Sequence, residues 1–109
     1  MLQDKNDQGE LESLIARTAL KYDLMPYESH PIPQSHPGRI GAVAKLFGLG
    51  PAPLATARVL ELGCAAGGNL IPLASRNPGA TFVGVDLSRA QVSAGRARIE
   101  RLGRRNIEI

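Results

Sequence analysis

The residues best suited to bind a ligand form a glycine-rich segment near the middle of the chain. The segment reads Glu61-Leu62-Gly63-Cys64-Ala65-Ala66-Gly67-Gly68-Asn69. It follows an apolar stretch typical of a buried strand and precedes a stretch typical of a helix. Glycine lets the backbone approach a ligand closely, and the first N–H groups of a helix point outward at such a ligand. A tight turn needs one glycine, so three glycines and two alanines in six positions predict a ligand-binding loop.

Two classes of ligand fit this loop. Gly63, Ala65 and Gly68 can be aligned with the dinucleotide fingerprint G-x-G/A-x-x-G, which would indicate an NAD-type oxidoreductase domain. Glu61 argues against that interpretation, because a carboxylate at the end of the strand would repel a pyrophosphate. The same carboxylate would attract a ligand that carries ammonium and sulfonium groups. S-adenosylmethionine is such a ligand, and it is the cofactor that we predict.

An acid at the end of the next apolar stretch strengthens the ligand hypothesis. Asp86 ends the run Thr81-Phe82-Val83-Gly84-Val85, at about the distance from a glycine loop (roughly 20 residues) where a ribose-binding acid is expected. A carboxylate there can accept hydrogen bonds from both ribose hydroxyls. The alternative is that Asp86 caps the following helix, in competition with Ser88 for its N-terminus. Leu87 would lie against the adenine face.

The first half of the chain has the pattern of helices joined by a proline-rich connector. We expect residues 1–9 to be a loose leader and residues 10–24 to form a helix with an apolar stripe. Residues 25–38 hold four prolines, which exclude a regular helix or a central strand. A second helix should begin near Ser35, with Ser35 as its N-cap and Pro37 in its first turn.

The second half alternates between strand and helix patterns. We predict strands at residues 58–63, 81–86 and 106–109, and helices at residues 68–76 and 88–102. Ser88 and Gln91 should form a capping box at the start of the last helix. This β-α-β-α-β order predicts an α/β fold with a Rossmann-like parallel sheet and right-handed crossovers, preceded by the N-terminal helical segment.

The predicted sheet has only three short strands, which is small for this fold. A parallel sheet needs helices over both faces and has two unpaired edges. We therefore expect the chain to be the front part of a larger domain, incomplete by itself. Either it is truncated, or a partner or a second copy covers its last strand. A catalytically inactive fragment that acts through a partner is thus a further alternative.

At these residues the sequence resembles a known family. The loop with the strand before it is similar to motif I of the class I S-adenosylmethionine-dependent methyltransferases. The stretch Val83-Gly84-Val85-Asp86-Leu87-Ser88 resembles their ribose-binding strand end. The upstream stretch, from Tyr22 to Pro37, is similar to a bacterial subgroup that also carries a methyltransferase regulatory domain. Residues 1–54 would then be a helical segment with a proline-rich connector, and residues 55–109 the N-terminal half of the methyltransferase domain.

The resemblance implies a set of cofactor contacts. Glu61 and Gly63 would help position the methionine part, and Asp86 would bind the ribose. The full set of predicted contacts is Glu61, Gly63, Cys64, Ala65, Gly67, Asn69, Asp86 and Leu87. Ala65 departs from the family pattern, which has a glycine there. The acceptor-binding part of the family lies beyond this sequence, so we predict neither a catalytic residue nor the methyl acceptor.

The remaining chemically notable side chains have simpler interpretations. Cys64 is either a reactive thiol at a helix N-terminus or a small apolar filler, and the filler is the commoner case. His30 and His36 have no partners at ligand spacing, so we predict no metal site. Tyr22 and Tyr27 would either close over the cofactor or pack within the connector.

Composition limits the class of protein. The chain has 109 residues, 43% of them hydrophobic, and a formal net charge of +3, which together exclude a disordered chain. No apolar run approaches the roughly 20 residues needed to cross a bilayer. The arginine-rich stretch at residues 89–105 lacks any nucleic-acid motif, so we expect a solvated helix face and no nucleic-acid partner. A single cysteine suits the reducing cytoplasm, where we expect the protein to reside.

Overall fold

A computed structural model describes residues 5–109. Within these residues, four α-helices and three strands follow one another in the predicted order. Their bounds are α1 Lys5–Leu24, α2 Pro37–Leu46, β1 Arg58–Leu62, α3 Leu70–Arg76, β2 Thr81–Val85, α4 Arg89–Arg101 and β3 Ile107–Glu108. Short 3₁₀ turns at Pro33–Ser35 and Leu54–Thr56 precede α2 and β1. Part of the predicted leader, residues 1–4, lies outside the described residues.

The three strands form one parallel sheet in the order β1-β2-β3. Arg58 pairs with Thr81 and Leu62 with Val85, so β1 and β2 are in register along their whole length. The shorter β3 pairs with β2 at Phe82 and Val83. The carboxyl ends of β1 and β2 therefore meet at one edge, with the glycine loop and Asp86 beside each other. The predicted Rossmann-like α/β fold is confirmed.

The core lies on one face of this sheet. Phe82 is completely buried in β2, and its neighbours are apolar side chains of α3 and of β3. Burying a side chain of this size contributes about 1.5–3 kcal/mol. The residues that alternate with it along the strands face the other way and are exposed: Leu60, Leu62, Val83 and Val85. One face of the sheet is thus covered by helices, and the opposite face is open and apolar.

The N-terminal segment differs from the prediction in two places. Helix α1 begins at Lys5, so residues 5–9 are helical and not a loose leader; Asp7 in the first turn complements the positive end of the helix dipole. The cap of α2 is His36, not Ser35, and its Nδ1 accepts a hydrogen bond of 3.1 Å from the Gly38 N–H. Pro37 takes the first helical position, which makes the residue before it the cap.

The start of α4 confirms half of the predicted capping box. Ser88 is the N-cap, and its Oγ accepts a hydrogen bond of 3.2 Å from the Gln91 N–H. The Gln91 side chain does not return to the Ser88 N–H, and it donates to the Tyr27 carbonyl at 3.0 Å. The Ser88 N–H donates instead to Asp86 Oδ1 at 2.8 Å. A residue outside the helix has therefore replaced one member of the box.

Candidate functional site

The glycine loop leaves β1 through an unusual backbone path. Gly63, Ala65 and Gly67 all have positive φ values, of 73°, 49° and 73°. Glycine adopts this left-handed region freely, whereas alanine does so at a cost of about 1–2 kcal/mol. The N–H groups of Gly63 and Cys64 both donate to the Val85 carbonyl, at 2.7 and 3.1 Å. These bonds hold the loop against the end of β2.

The three glycines of the loop serve different purposes. A Cβ on Gly67 would lie 2.6 Å from the Ile109 side chain, and one on Gly68 would lie 2.1 Å from the Ser29 carbonyl oxygen. Both positions therefore need glycine because protein atoms approach them closely. A Cβ on Gly63 would meet nothing within 4 Å. Gly63 alone among the three faces open space, and it is the glycine whose surroundings suit a ligand.

Asp86 ties the loop to the start of α4. Its Oδ2 accepts a hydrogen bond of 2.8 Å from the Ala65 N–H, and its Oδ1 accepts one of 2.8 Å from the Ser88 N–H. These bonds fit the capping interpretation of this acid, and ribose binding stays a prediction. Asp86 stabilises the helix start, and each of its oxygens can still accept a further bond from a ligand.

A cavity of about 430 Å³ opens beside these groups. Its size is typical of small-molecule sites. The predicted residues Gly63, Ala65, Asp86 and Leu87 line it together with Tyr22, Tyr27, Leu62, Val85, Ser88 and Gln91. The two tyrosine rings stand 5.7 Å apart between centroids. From the sequence, the two tyrosines would either close over a cofactor or pack within the connector. In the structure they form one wall of the cavity.

Glu61 lies at the end of β1 in a neighbouring hollow, which it shares with Ser35 and Asn69. Its Oε1 accepts a hydrogen bond of 2.9 Å from Asn69 Nδ2. Its Oε2 is buried, and no group among the described residues donates to it. A buried carboxylate oxygen without a donor costs free energy. This orphaned oxygen is the feature of the site that most directly calls for a cationic ligand.

The second half of the chain matches a known family. Residues 60–109 match the family model described as a methyltransferase domain. PKMT2 from Rickettsia typhi, solved in complex with AdoHcy, superposes with a TM-score of 0.71 and 37% identity over 76% of this chain. Residues 60–109 are part of a class I S-adenosylmethionine-dependent methyltransferase domain. The predicted family is confirmed for residues 60–109, and the regulatory-domain subgroup stays a prediction.

The relatives of this methyltransferase domain are much longer than the chain. An uncharacterised protein of Rickettsia prowazekii, RP789, is 47% identical over 87 residues, which are 80% of this chain and 16% of the relative. A second one, RP028, is 36% identical over 90 residues, which are 83% of this chain and 36% of the relative. The chain likewise spans 16% of PKMT2. It therefore corresponds to between about one sixth and one third of these proteins.

Two predicted contacts of the methyltransferase loop are buried inside it. The Cys64 side chain is 3% exposed and lies under the loop against Gly84. Burial, followed by the negative charges of Asp86 and Glu61, raises the pKa of the Cys64 thiol to about 11. Cys64 is thus a protonated filler and not a reactive thiol. Gly67 donates its N–H to the Cys64 carbonyl at 2.9 Å, which leaves that donor engaged within the loop.

Asn69 is also engaged by protein groups. Its Oδ1 accepts a hydrogen bond of 2.7 Å from the Ile32 N–H, and its Nδ2 donates to Ser35 Oγ and Glu61 Oε1, each at 2.9 Å. It is 7% exposed. Its direct contact with a cofactor stays a prediction, while its observed contacts join the connector to the end of β1.

Sequence reasoning missed the groups that fasten the N-terminal segment to the methyltransferase domain. Asp23 Oδ1 accepts hydrogen bonds from Ser88 Oγ at 2.5 Å and from the Ala90 N–H at 3.2 Å. These bonds, the Ser88 one first, lower the pKa of Asp23. Ser29 Oγ accepts a bond of 2.7 Å from the Gly68 N–H. Partners 39 to 67 residues apart leave no local pattern that could reveal them.

Within residues 5–109, no group of three or more histidine, cysteine or acidic side chains could hold a metal ion. His36, one of the two histidines considered from the sequence, uses its Nδ1 to cap α2. In that described range, none of the helices combines the length and the apolar character needed to span a membrane.

Proposed function

We propose that this chain is the S-adenosylmethionine-binding part of a methyltransferase. The observation that carries the proposal is the buried Oε2 of Glu61, which has no donor among residues 5–109. The ammonium group of the methionine part would supply one and would gain a charge-assisted hydrogen bond, which is about twice as strong as a neutral one. Glu61 therefore fits a cationic amino-acid group and would repel a phosphate.

The adenosine part would occupy the cavity beside β2. Asp86 would accept bonds from the ribose hydroxyls with the acceptor capacity that its two backbone donors leave free. Leu87 is 49% exposed in the wall of the cavity and offers an apolar surface for adenine. Gly63 would let the ligand pass close to the backbone, since no atom occupies the space of its missing side chain.

The loop geometry also disfavours the alternative, an NAD-type domain. A pyrophosphate would need free N–H donors at the glycine loop. The N–H of Ala65 donates to Asp86 and that of Gly68 donates to Ser29. These donors are already occupied by protein acceptors, one of which is itself an anion.

The bound cofactor would supply an activated methyl group. In methyl transfer, an acceptor attacks this methyl in line with its bond to sulfur, and the protein contributes mainly proximity and orientation. The contribution of this chain would be to hold the two ends of the cofactor, at Glu61 and Asp86. The solved relative in complex with AdoHcy, the product form of this cofactor, supports the same ligand here.

Isothermal titration calorimetry with S-adenosylhomocysteine tests the proposal. The wild-type chain should bind this ligand and should not bind NAD. Glu61→Gln keeps the shape but removes the charge, so it should weaken S-adenosylhomocysteine binding by about 2 kcal/mol or more, the usual loss for one partner of a buried charge pair. Glu100→Gln, at an exposed position on α4, is the matched control and should bind like the wild type. Absence of binding by a folded wild-type sample would refute the proposal.

We further propose a cytoplasmic location and a partner at the sheet edge. The location is supported by Cys64, the single cysteine of the sequence, which forms no disulfide within the chain. The partner, a second copy or another chain, is supported by the outer edge of β3, which has no neighbouring strand among residues 5–109. Sedimentation velocity at several concentrations tests self-association, and a monomer at all of them would exclude it. We propose no nucleic-acid or membrane partner, and the methyl acceptor is unassigned.

A further inference from the structure

We propose that Asn69 is a positioning residue that links the proline-rich connector to the cofactor site. It would act only at the end of the site that binds the amino-acid part of the cofactor. Through Asn69, the turn at residues 32–35 would fix the carboxylate of Glu61 and so set the selectivity for ligands that carry an ammonium group. This inference rests on the proposed function, because Glu61 must bind that ammonium.

The hydrogen bonds of Asn69 leave little freedom to its amide. The Ile32 N–H can only donate and the Glu61 carboxylate can only accept, so Oδ1 must face the connector turn and Nδ2 must face Glu61. The second hydrogen on Nδ2 is used by Ser35 Oγ. Ser35 Oγ in turn donates to the Ile32 carbonyl at 2.9 Å, which closes the turn.

These bonds form one continuous path from the connector to Glu61. Asn69 holds Oε1 of Glu61, and the other oxygen, Oε2, is left without a donor. If the amide did not hold Oε1, the carboxylate could rotate and lose the orientation in which Oε2 awaits a ligand. A fixed conformation of the turn at residues 32–35 would therefore fix the position of Glu61 Oε2.

The path reaches one end of the site and not the other. Asp86 is held by the N–H groups of Ala65 and Ser88, which belong to the loop and to the start of α4. Neither bond involves Asn69 or Ser35. Loss of the Asn69 bonds should thus disturb the ammonium end while the ribose end keeps its geometry.

Two ligands separate these ends in an experiment. S-adenosylhomocysteine carries the amino-acid part, and 5′-methylthioadenosine has the same adenosine and thioether without it. The ratio of their dissociation constants, measured by calorimetry with the full 109-residue chain, reports the ammonium end alone. Asn69→Leu has nearly the same shape without the hydrogen bonds and should reduce this preference about tenfold, the usual effect of losing a bond to a charged group.

A second asparagine serves as the matched control. Asn106 is half-buried, and its Nδ2 donates to the carbonyls of Ala74, Asn77 and Ala80, away from Glu61. Asn106→Leu should lower stability without changing the preference between the two ligands. If Asn69→Leu weakens both ligands equally, as a merely structural residue would, or leaves their ratio unchanged, the inference is wrong.

Ser35→Ala keeps the test decisive should Asn69→Leu fail to fold. It removes one acceptor of the Asn69 amide at a half-buried position and should lower the preference about threefold in the same direction. An unchanged ratio in Ser35→Ala would then overturn the inference. A wild-type chain that binds both ligands equally well contradicts the role of Glu61 itself, and one that binds neither contradicts the proposed function, so these failures are distinguishable from a failure of Asn69.

Discussion

The acids at the ends of the two paired strands are held in opposite ways. Asp86, after β2, has both carboxylate oxygens bound to backbone N–H groups. Glu61, in β1, accepts a hydrogen bond from the Asn69 side chain at one carboxylate oxygen. Its other oxygen is buried and has no donor among residues 5–109. Asp86 therefore stabilises the loop and the start of α4. Glu61 makes one bond to Asn69, and its second oxygen would bind the ligand's ammonium group under the proposed function.

Removing Asp86 should have the largest effect. Asp86→Ala leaves the Ala65 and Ser88 N–H groups without their acceptor and removes a charge from the start of α4. We expect a loss of about 3 kcal/mol in the free energy of unfolding, since each donor left unpaired costs about 1–3 kcal/mol. Urea denaturation followed by circular dichroism measures it. A loss below 0.5 kcal/mol, about the size of an ordinary surface substitution, would show that Asp86 does not stabilise the loop.

Cys64 lies between the two acids and reports on both. Its raised pKa means that the folded state holds the proton more tightly than the unfolded state. This stabilisation is present below pH 9 and is lost as the pH rises toward about 11. Cys64→Ala should remove that part of the alkaline loss of stability, which denaturation series at several pH values would show.

The reactivity of the same thiol provides a second readout. At pH 9 the folded chain should react with Ellman's reagent about fiftyfold more slowly than the chain in urea, because the thiolate is the reacting form and is much scarcer in the folded chain. Asp86 raises this pKa more than Glu61 does. Glu61→Gln should therefore speed the reaction less than Asp86→Asn. Equal rates in the folded and unfolded chain would show that Cys64 is not buried under the loop.

Ala65 tests whether Asp86 holds the loop against strain. Its φ of 49° is unfavourable for alanine, and its N–H is one of the two donors to Asp86. Ala65→Gly should raise the free energy of unfolding by about 0.5–1 kcal/mol, because the relief of strain exceeds the entropy that glycine adds to the unfolded chain. Thermal unfolding compares the two chains. A clear loss of stability would mean that the left-handed conformation is not populated in solution.

Glu61→Gln should have the smallest effect on stability and so sharpen the contrast with Asp86. The amide can still accept from Asn69, and the change removes a negative charge whose buried oxygen Oε2 has no donor among residues 5–109. We expect the free energy of unfolding to stay within about 0.5 kcal/mol of the wild type or to rise. A loss comparable to that of Asp86→Ala would show that Glu61 also builds the loop.

The parts of this account that sequence could predict are those with local patterns. The strand ends, the Ser88 cap and the placement of Asp86 follow from short-range periodicity and spacing. The glycines of the loop were all predicted to make room for a ligand. In the structure only Gly63 of the three faces open space, and the other two are glycine because protein atoms approach them closely. Alanine at position 65 gave no sign of its left-handed backbone, because that conformation is imposed by Asp86 and by the ends of both strands.

The contacts of the N-terminal segment could not be predicted in the same way. The bonds of Asp23 to Ser88 and of Ile32 to Asn69 join residues 65 and 37 positions apart. Their residue types are ordinary in a helix end and in a proline-rich turn. These residues come to the loop only when the chain folds. The predicted N-cap at Ser35 was wrong for the same reason, because the Ser35 side chain accepts a hydrogen bond from Asn69 and does not cap α2.

A crystal structure of the chain with S-adenosylhomocysteine tests the central claim most directly. We expect the ligand's ammonium nitrogen to lie about 2.7–2.9 Å from Glu61 Oε2, the usual length of a charge-assisted bond. The ribose hydroxyls should donate hydrogen bonds to the Asp86 carboxylate. A bound ligand whose ammonium lies beyond hydrogen-bond distance of Glu61, with Oε2 still without a donor, would contradict that claim.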